Sequence, residues 1–203
     1  MFEPFTLETL AQQVDAAFPF PAHVIGWSLG GAVATQWALQ QPDKIRSLTL
    51  VASSPCFVQR DDWLPAMPAA TLDQFFSQLH ADWRGTLKRF IGLQAMGDAA
   101  ARAVARELTQ DLFSHGEPPL AALEHGLEIL RDTDLRDRVR AVACPLLLQY
   151  GDKDMLTPVG AAQWLAGAAL HAELMIHAGA AHAPFLSHAA EFVARQRVFL
   201  NAV

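Results

Sequence analysis

Residues 22–31 read AHVIGWSLGG, and the fold is decided by how they are read. A short apolar run over 22–25 ends in Gly26-Trp27-Ser28-Leu29-Gly30, which fits G-x-S-x-G. Small residues follow (Gly31, Ala32, Ala34), in a segment over 29–41 that reads as a helix and stops at Pro42. The order is strand, sharp turn, helix. A serine at such a turn is held in a strained backbone conformation, and Gly26 and Gly30 are expected to give it room. Its hydroxyl then projects beside a helix N-terminus, where free amides and the positive dipole end suit a developing oxyanion. The Leu29 amide is the natural donor. The blander reading of the same residues is a Gly-rich turn with an ordinary capping serine.

Working outward, residues 7–17 carry apolar positions at helical spacing, with Thr6 as N-cap and Glu8 in the first turn. Residues 45–52 (IRSLTLVA) are apolar and rich in β-branched residues, as a strand buried on both faces should be. Residues 145–150 (PLLLQY) and 173–177 read as two more strands, 158–170 and 189–200 as helices. Strands alternating with helices imply a parallel sheet. Between residues 53 and 140 the character changes to amphipathic helices, including a stripe of Leu120, Leu123, Leu127 and Leu130 after Pro118-Pro119. This block reads as an insertion lying over the sheet.

A serine nucleophile needs a base, and the base needs an orienting acid. For this fold type the chain order is Ser, Asp or Glu, His. Asp154 follows the third strand in Gly151-Asp152-Lys153-Asp154, and His182 follows the last in Gly179-Ala180-Ala181-His182. Both lie past strand C-termini, where open α/β sheets meet ligands. Asp152 rivals Asp154 but is nearer the strand end, as a turn carboxylate would be. His177 and His188 rival His182; the first falls in the strand and the second before the closing helix. The eight histidines form no HExxH and no i, i+4 pair, and there is no P-loop and no GxGxxG. The chemistry read here needs no metal and no cofactor.

With 52% hydrophobic and 18% charged residues among 203, the chain is not a disordered one. A formal charge of -6 argues against nucleic-acid binding. Two cysteines without CxxC spacing suit a reduced, cytosolic compartment. The first ten residues hold two acids and no base, unlike a signal peptide. The longest charge-free stretches, 155–172 and 174–190, are broken by Gly, Pro, His and Gln and do not read as membrane spans. Against this acidic background, residues 84–106 hold Arg84, Lys88, Arg89, Arg102 and Arg106 with one acid, Asp98. They are either a solvated helix face or a docking site for an acidic partner. Phe90, Ile91, Leu93 and Met96 lie among them, as cap core or as an acyl channel.

GWSLGG, LVASSPCF, KRFIGLQAMG, HGLEIL, LQYGDKDMLTP and GAAHAPFLSH together resemble the pimeloyl-[acyl-carrier protein] methyl ester esterases, the carboxylesterases of biotin synthesis in the α/β-hydrolase superfamily. The likeness runs the length of the chain. It implies an α/β-hydrolase core in two parts, 1–55 and 141–203, around a helical cap over 56–140. It implies a cytoplasmic enzyme, monomeric at full length, that frees methanol from the methyl ester of pimeloyl-carrier protein. Ser28 would be the nucleophile, His182 the base and a substrate contact, Asp154 its orienting acid, Leu29 an oxyanion donor. Phe90, Ile91, Gly92, Leu93 and Gln94 would match the family's substrate-contact segment. The basic residues facing acyl carrier protein would be Arg89, Arg102 and Arg106; a further such position falls on Gly85, next to Arg84. One departure stands out. The family begins with several strands and an early His-Gly-Trp-type loop that supplies a second oxyanion donor. Neither is in this sequence, which is expected to be a fragment, or to start at an internal methionine, Met1, with an N-terminally truncated sheet. Loss of one such donor typically costs about 3–4 kcal/mol in the barrier. Two other functions stay open: a general esterase or thioesterase on small acyl esters, and a non-catalytic remnant.

Overall fold

The structure, a computed structural model, describes residues 5–114 and 116–203. Met1, on which the start-site expectation falls, lies outside them. Four parallel strands form the sheet: β1 (Ala22–Trp27), β2 (Ile45–Val51), β3 (Leu146–Gly151) and β4 (Ala172–His177), side by side in chain order. Beyond a register shift between Ala22 and His23, the strands align with Leu50 opposite both Gly26 and Leu148, and Leu148 opposite Leu174.

The alternation along β2 and β3 decides the layers. Leu48, Leu50, Leu146, Leu148 and Tyr150 point to one face. There they pack against α1 (Leu7–Ala17), α2 (Leu29–Gln40) and α7 (Val159–Ala168), through Ala11, Trp37 and Leu165. Thr49 and Gln149 point to the other face, toward Gln196 of α9 (Ala189–Ala202). That is why these two strands are buried almost throughout: both faces are covered, and the polar Thr49 and Gln149 are satisfied by Gln196. β1 is different. Its neighbour on one side is β2, the other side is a sheet edge among the described residues, and Ile25 is 53% exposed.

Helix starts follow local chemistry. Thr6 caps α1 as the sequence suggests, and Thr9 completes a reciprocal capping box. Pro68 and Pro119 stand just before α3 (Ala69–Leu79) and α6 (Leu120–Asp132). Asp82 caps α4 (Trp83–Ala95) by accepting from the Gly85 amide at 2.8 Å. These helices and α5 (Ala101–Ser114) make the insertion between β2 and β3. The chain leaves and returns at one place: the Leu135 amide donates to the Pro55 carbonyl at 2.7 Å, beside a bridge between Cys56 and Asp134. A short helix, α8 (Pro184–Ser187), follows the loop that bears His182. No helix among the described residues is long and apolar enough to cross a membrane.

Candidate active site

The turn after β1 has the expected strain. Ser28 has φ 53° and ψ -123°, a conformation that L side chains rarely adopt. It stands at the N-cap of α2, yet its side chain makes no capping hydrogen bond. The reading as an ordinary capping serine therefore fails, and the hydroxyl is left for other work. Leu29 is the first residue of α2, where a helix leaves its amides without intrahelical partners. The glycines divide differently from the expectation. A Cβ on Gly26 would lie 2.6 Å from the Gly30 carbonyl oxygen, and one on Gly31 would lie 2.4 Å from Ser53 Oγ. One on Gly30 would meet open space. Gly26 and Gly31, not Gly30, give the turn its room. Ser53 is itself fixed, because its carbonyl accepts from the buried Tyr150 hydroxyl.

Asp154 and His182 meet as the chain order requires. His182 Nδ1 lies 2.8 Å from Asp154 Oδ2, with both side chains fully buried. Asp154 Oδ1 accepts from the Leu156 and Thr157 amides at 2.8 and 3.0 Å, and Thr157 Oγ1 donates to Oδ2 at 2.6 Å. Burial pushes the Asp154 carboxyl up, but the charge and hydrogen bond of His182 and the bonds from Thr157 outweigh it. The carboxyl is held below the usual carboxylate range. A carboxylate at Nδ1 places the proton there and leaves Nε2 as a lone-pair acceptor. Nε2 is buried and makes no hydrogen bond to Ser28 or any other described residue.

The serine reaches this pair through its neighbour. Trp27 Nε1 donates to the His182 carbonyl at 2.8 Å, and the two rings lie 5.6 Å apart. The rivals have other duties. Asp152 Oδ1 accepts from the Gly179 amide at 2.7 Å, as a turn carboxylate. His177, the last residue of β4, has both ring nitrogens occupied, by Glu191 and Gln149. His188 precedes α9, with Nδ1 2.8 Å from Ser187 Oγ.

Ser28 and Leu29 open onto a cavity of about 370 Å³ between sheet and cap. Its walls are mostly apolar: Phe75 and Leu79 of α3, Leu87 and Phe90 of α4, Leu123, Leu127 and Leu130 of α6. Leu123, Leu127 and Leu130 of the α6 stripe are thus pocket wall, though Leu127 and Leu130 also pack against buried core residues such as Leu72, and Leu120 does not line the cavity. Of the segment 90–94, Phe90 and Gln94 line the cavity, one helical turn apart. Helical geometry turns the others away: Ile91 is buried elsewhere, Gly92 is exposed, and Leu93 packs in the cap core near Leu156.

The cap cations also divide. Arg84 pairs with Glu117 and lies over the Trp83 ring. Arg89 donates to Gln78 and Thr86 at 2.7 and 2.9 Å. Lys88, Arg102 and Arg106 are exposed and make no ion pair among the described residues.

A family model described as serine aminopeptidase, S33, matches residues 6–187. Among curated relatives, the pimeloyl-[acyl-carrier protein] methyl ester esterase of Chromobacterium violaceum is 42% identical over 93% of this chain and 74% of its own. That of Serratia marcescens is 42% identical over 99% and 78%. The chain belongs to this esterase family of α/β-hydrolases. Solved structures agree on the fold. An esterase from Exiguobacterium antarcticum has a TM-score of 0.86 at 19% identity, over 98% of this chain and 75% of its own. A bromoperoxidase from Bacillus anthracis has a TM-score of 0.85 at 20% identity, over 99% and 76%.

Within this family frame, three site residues were not read from the sequence. Thr157 holds the acid, and its signal was present: an Asp followed three residues later by Thr is a local side-chain capping pattern. Gly151 lets the His182 loop come close, since a Cβ there would lie 2.2 Å from the Ala180 carbonyl oxygen. Trp27 sits inside the motif, but only the folded chain shows what its indole reaches.

Proposed function

We propose that this chain is a serine carboxylesterase that hydrolyses the methyl ester of pimeloyl-[acyl-carrier protein], releasing methanol and pimeloyl-carrier protein. The observation that carries the chemistry is the state of His182: Nδ1 is committed to Asp154, Nε2 is buried with no hydrogen-bond partner among the described residues, and Trp27, the neighbour of the strained Ser28, holds the His182 carbonyl. A neutral imidazole so held is a base ready to accept a proton.

In the first half-reaction Ser28 Oγ bonds to the ester carbonyl carbon while its proton passes to His182 Nε2. The carbonyl oxygen gains the negative charge and faces the Leu29 amide. Asp154 stabilises the imidazolium. The C–O bond to the methoxy group then breaks, and Nε2 returns the proton to give methanol. Water repeats the sequence on the acyl-enzyme, giving the free carboxyl group and restoring Ser28.

Substrate class is supported by the cavity and by charge. About 370 Å³ of mainly apolar space falls in the range of small-ligand pockets and suits an aliphatic chain. Lys88, Arg102 and Arg106 lie on α4 and α5, and α4 lines that space. An acidic carrier would be steered to them from a chain of net charge -6. Arg84 and Arg89 have partners within the cap and are weaker candidates. The reading places the enzyme in the cytoplasm with its carrier.

Two variants test this. Ser28→Ala should lower turnover on the order of 10⁴-fold or more in a folded protein; retained turnover would refute the mechanism. Arg102→Glu with Arg106→Glu should lower kcat/KM on the carrier-linked ester and leave a free short ester unaffected. Equal losses on both substrates would favour the general esterase.

A further inference from the structure

The loop that carries His182 is held from the cap, and the inference here rests on the catalytic reading of His182 above. Asp98 follows α4 and is 7% exposed. It is the one acid in the basic stretch 84–106. Its Oδ2 accepts from the Ala181 amide at 3.1 Å, and its Oδ1 accepts from the Ala100 amide at 2.8 Å. Four residues earlier, the Gln94 carbonyl accepts from the His182 amide at 3.0 Å. The turn between them is pressed against the acid's neighbourhood. Gly97 has φ +89°, and a Cβ on it would lie 3.2 Å from Lys153 Cβ, next to Asp154.

Two successive backbone amides, at 181 and 182, thus end on one cap segment, while Trp27 holds the 182 carbonyl from the other side. We propose that Asp98 is a positioning residue for the catalytic base: its carboxylate fixes the 181–182 backbone, and so aims the His182 ring between Asp154 and Ser28. A carboxylate is the apt group, because it offers two acceptor oxygens to two amides. An amide side chain offers one acceptor and would turn a donor toward a donor. The arrangement also links substrate to base. Gln94 lines the cavity with its side chain and holds His182 with its carbonyl, so the helix that touches the acyl chain is the one that sets the imidazole.

The test uses the whole chain and a short p-nitrophenyl ester. Ser28→Ala is run first; if it keeps turnover, the catalytic reading itself fails, whatever Asp98 does. If it is inactive, Asp98→Ala should lower kcat by about tenfold to a hundredfold, with KM nearly unchanged, since a small misplacement costs that much. The downfield His182 Nδ1–H proton resonance should broaden or move upfield. Asp98→Asn, which keeps one acceptor but turns a donor toward the second amide, should lower kcat and shift the resonance part-way, by less than Asp98→Ala. Leu165→Ala, in the core beneath the sheet, serves as the control for a general loss of stability. It should lower the melting temperature while leaving kcat and the resonance at wild-type values. Wild-type kcat and an unaltered resonance in Asp98→Ala overturn the proposal, as does a loss matched by Leu165→Ala. Should Asp98→Ala not fold, Asp98→Asn decides. A reduced kcat with a changed resonance at an unchanged melting temperature supports the role; wild-type values of both overturn it.

Discussion

Ser28 can hold φ 53° only because the residues around it lack side chains where it bends. The glycines test that directly. Gly31→Ala would set a Cβ 2.4 Å from Ser53 Oγ and 2.5 Å from Ser53 Cβ, and the Ser53 backbone is tied to Tyr150 through its carbonyl, so that Cβ has little freedom to yield. Overpacking of this kind costs about 1–3 kcal/mol. Gly30→Ala meets nothing within 4 Å and lies inside α2, where alanine is the better helix former by about 1 kcal/mol. Chemical denaturation should show a lower midpoint for Gly31→Ala and an equal or higher one for Gly30→Ala. The reverse order would mean the elbow is shaped by something else. The candidate acid and base were legible at this scale because both belong to loops just past strand ends, in a fixed chain order. The glycine roles were not, since G-x-S-x-G names two glycines and the packing depends on a third. Which side of the Asp152/Asp154 choice held followed only from the partners: Gly179 for one, His182 and Thr157 for the other.

Helices α3, α4 and α6 explain why amphipathic stripes are ambiguous in sequence. Phe75 and Leu79, Phe90 and Gln94, and Leu123 and Leu127 are each four residues apart on their own helix, and all face the cavity. Nothing in the spacing separates such a wall from a closed core, because both need the same apolar face. The strands were easier to read. β2 and β3 are buried almost throughout, so their short, apolar-rich runs stand out although Ser47, Thr49 and Gln149 interrupt them. Between β2 and β3 the described residues form isolated bridges, such as that between Val58 and Met67, but no strand. The wall makes its own prediction. Leu123→Trp should fill part of the space above Ser28 without touching the Asp154–His182 pair. Hydrolysis of a seven-carbon methyl ester should fall about tenfold or more in kcat/KM, since each methylene in a fitted apolar pocket is worth about 1–3 kcal/mol. An acetyl ester, which needs only the space at the serine, should be cleaved at the unchanged rate. Parallel losses on both esters would show that α6 supports the catalytic groups rather than the acyl chain.

At the scale of the whole molecule the described sheet is asymmetric. β2 and β3 lie inside it, β1 and β4 are its two edges, and β4 packs against α7 and α9. β1, which carries the Ser28 turn, has no strand paired on its outer side among the described residues. A shallow apolar groove runs along it, between Val14 and Phe18 of the α1 region and Val24, Ile25 and Trp27. Phe18, Phe20 and Ile25 are 58%, 77% and 53% exposed there. An edge that is both apolar and unpaired is a template for another strand. The 203-residue chain should therefore self-associate as its concentration rises, seen by light scattering behind a sizing column. Ile25→Lys places a charge on the exposed side of the edge strand, the device by which natural sheets discourage such pairing. It should shift the population toward monomer. The side chain it replaces is already more than half in solvent, so the melting temperature should hardly change. If the parent chain stays monomeric at every concentration, or if Ile25→Lys associates as strongly as the parent, the edge does not govern how copies of this chain meet.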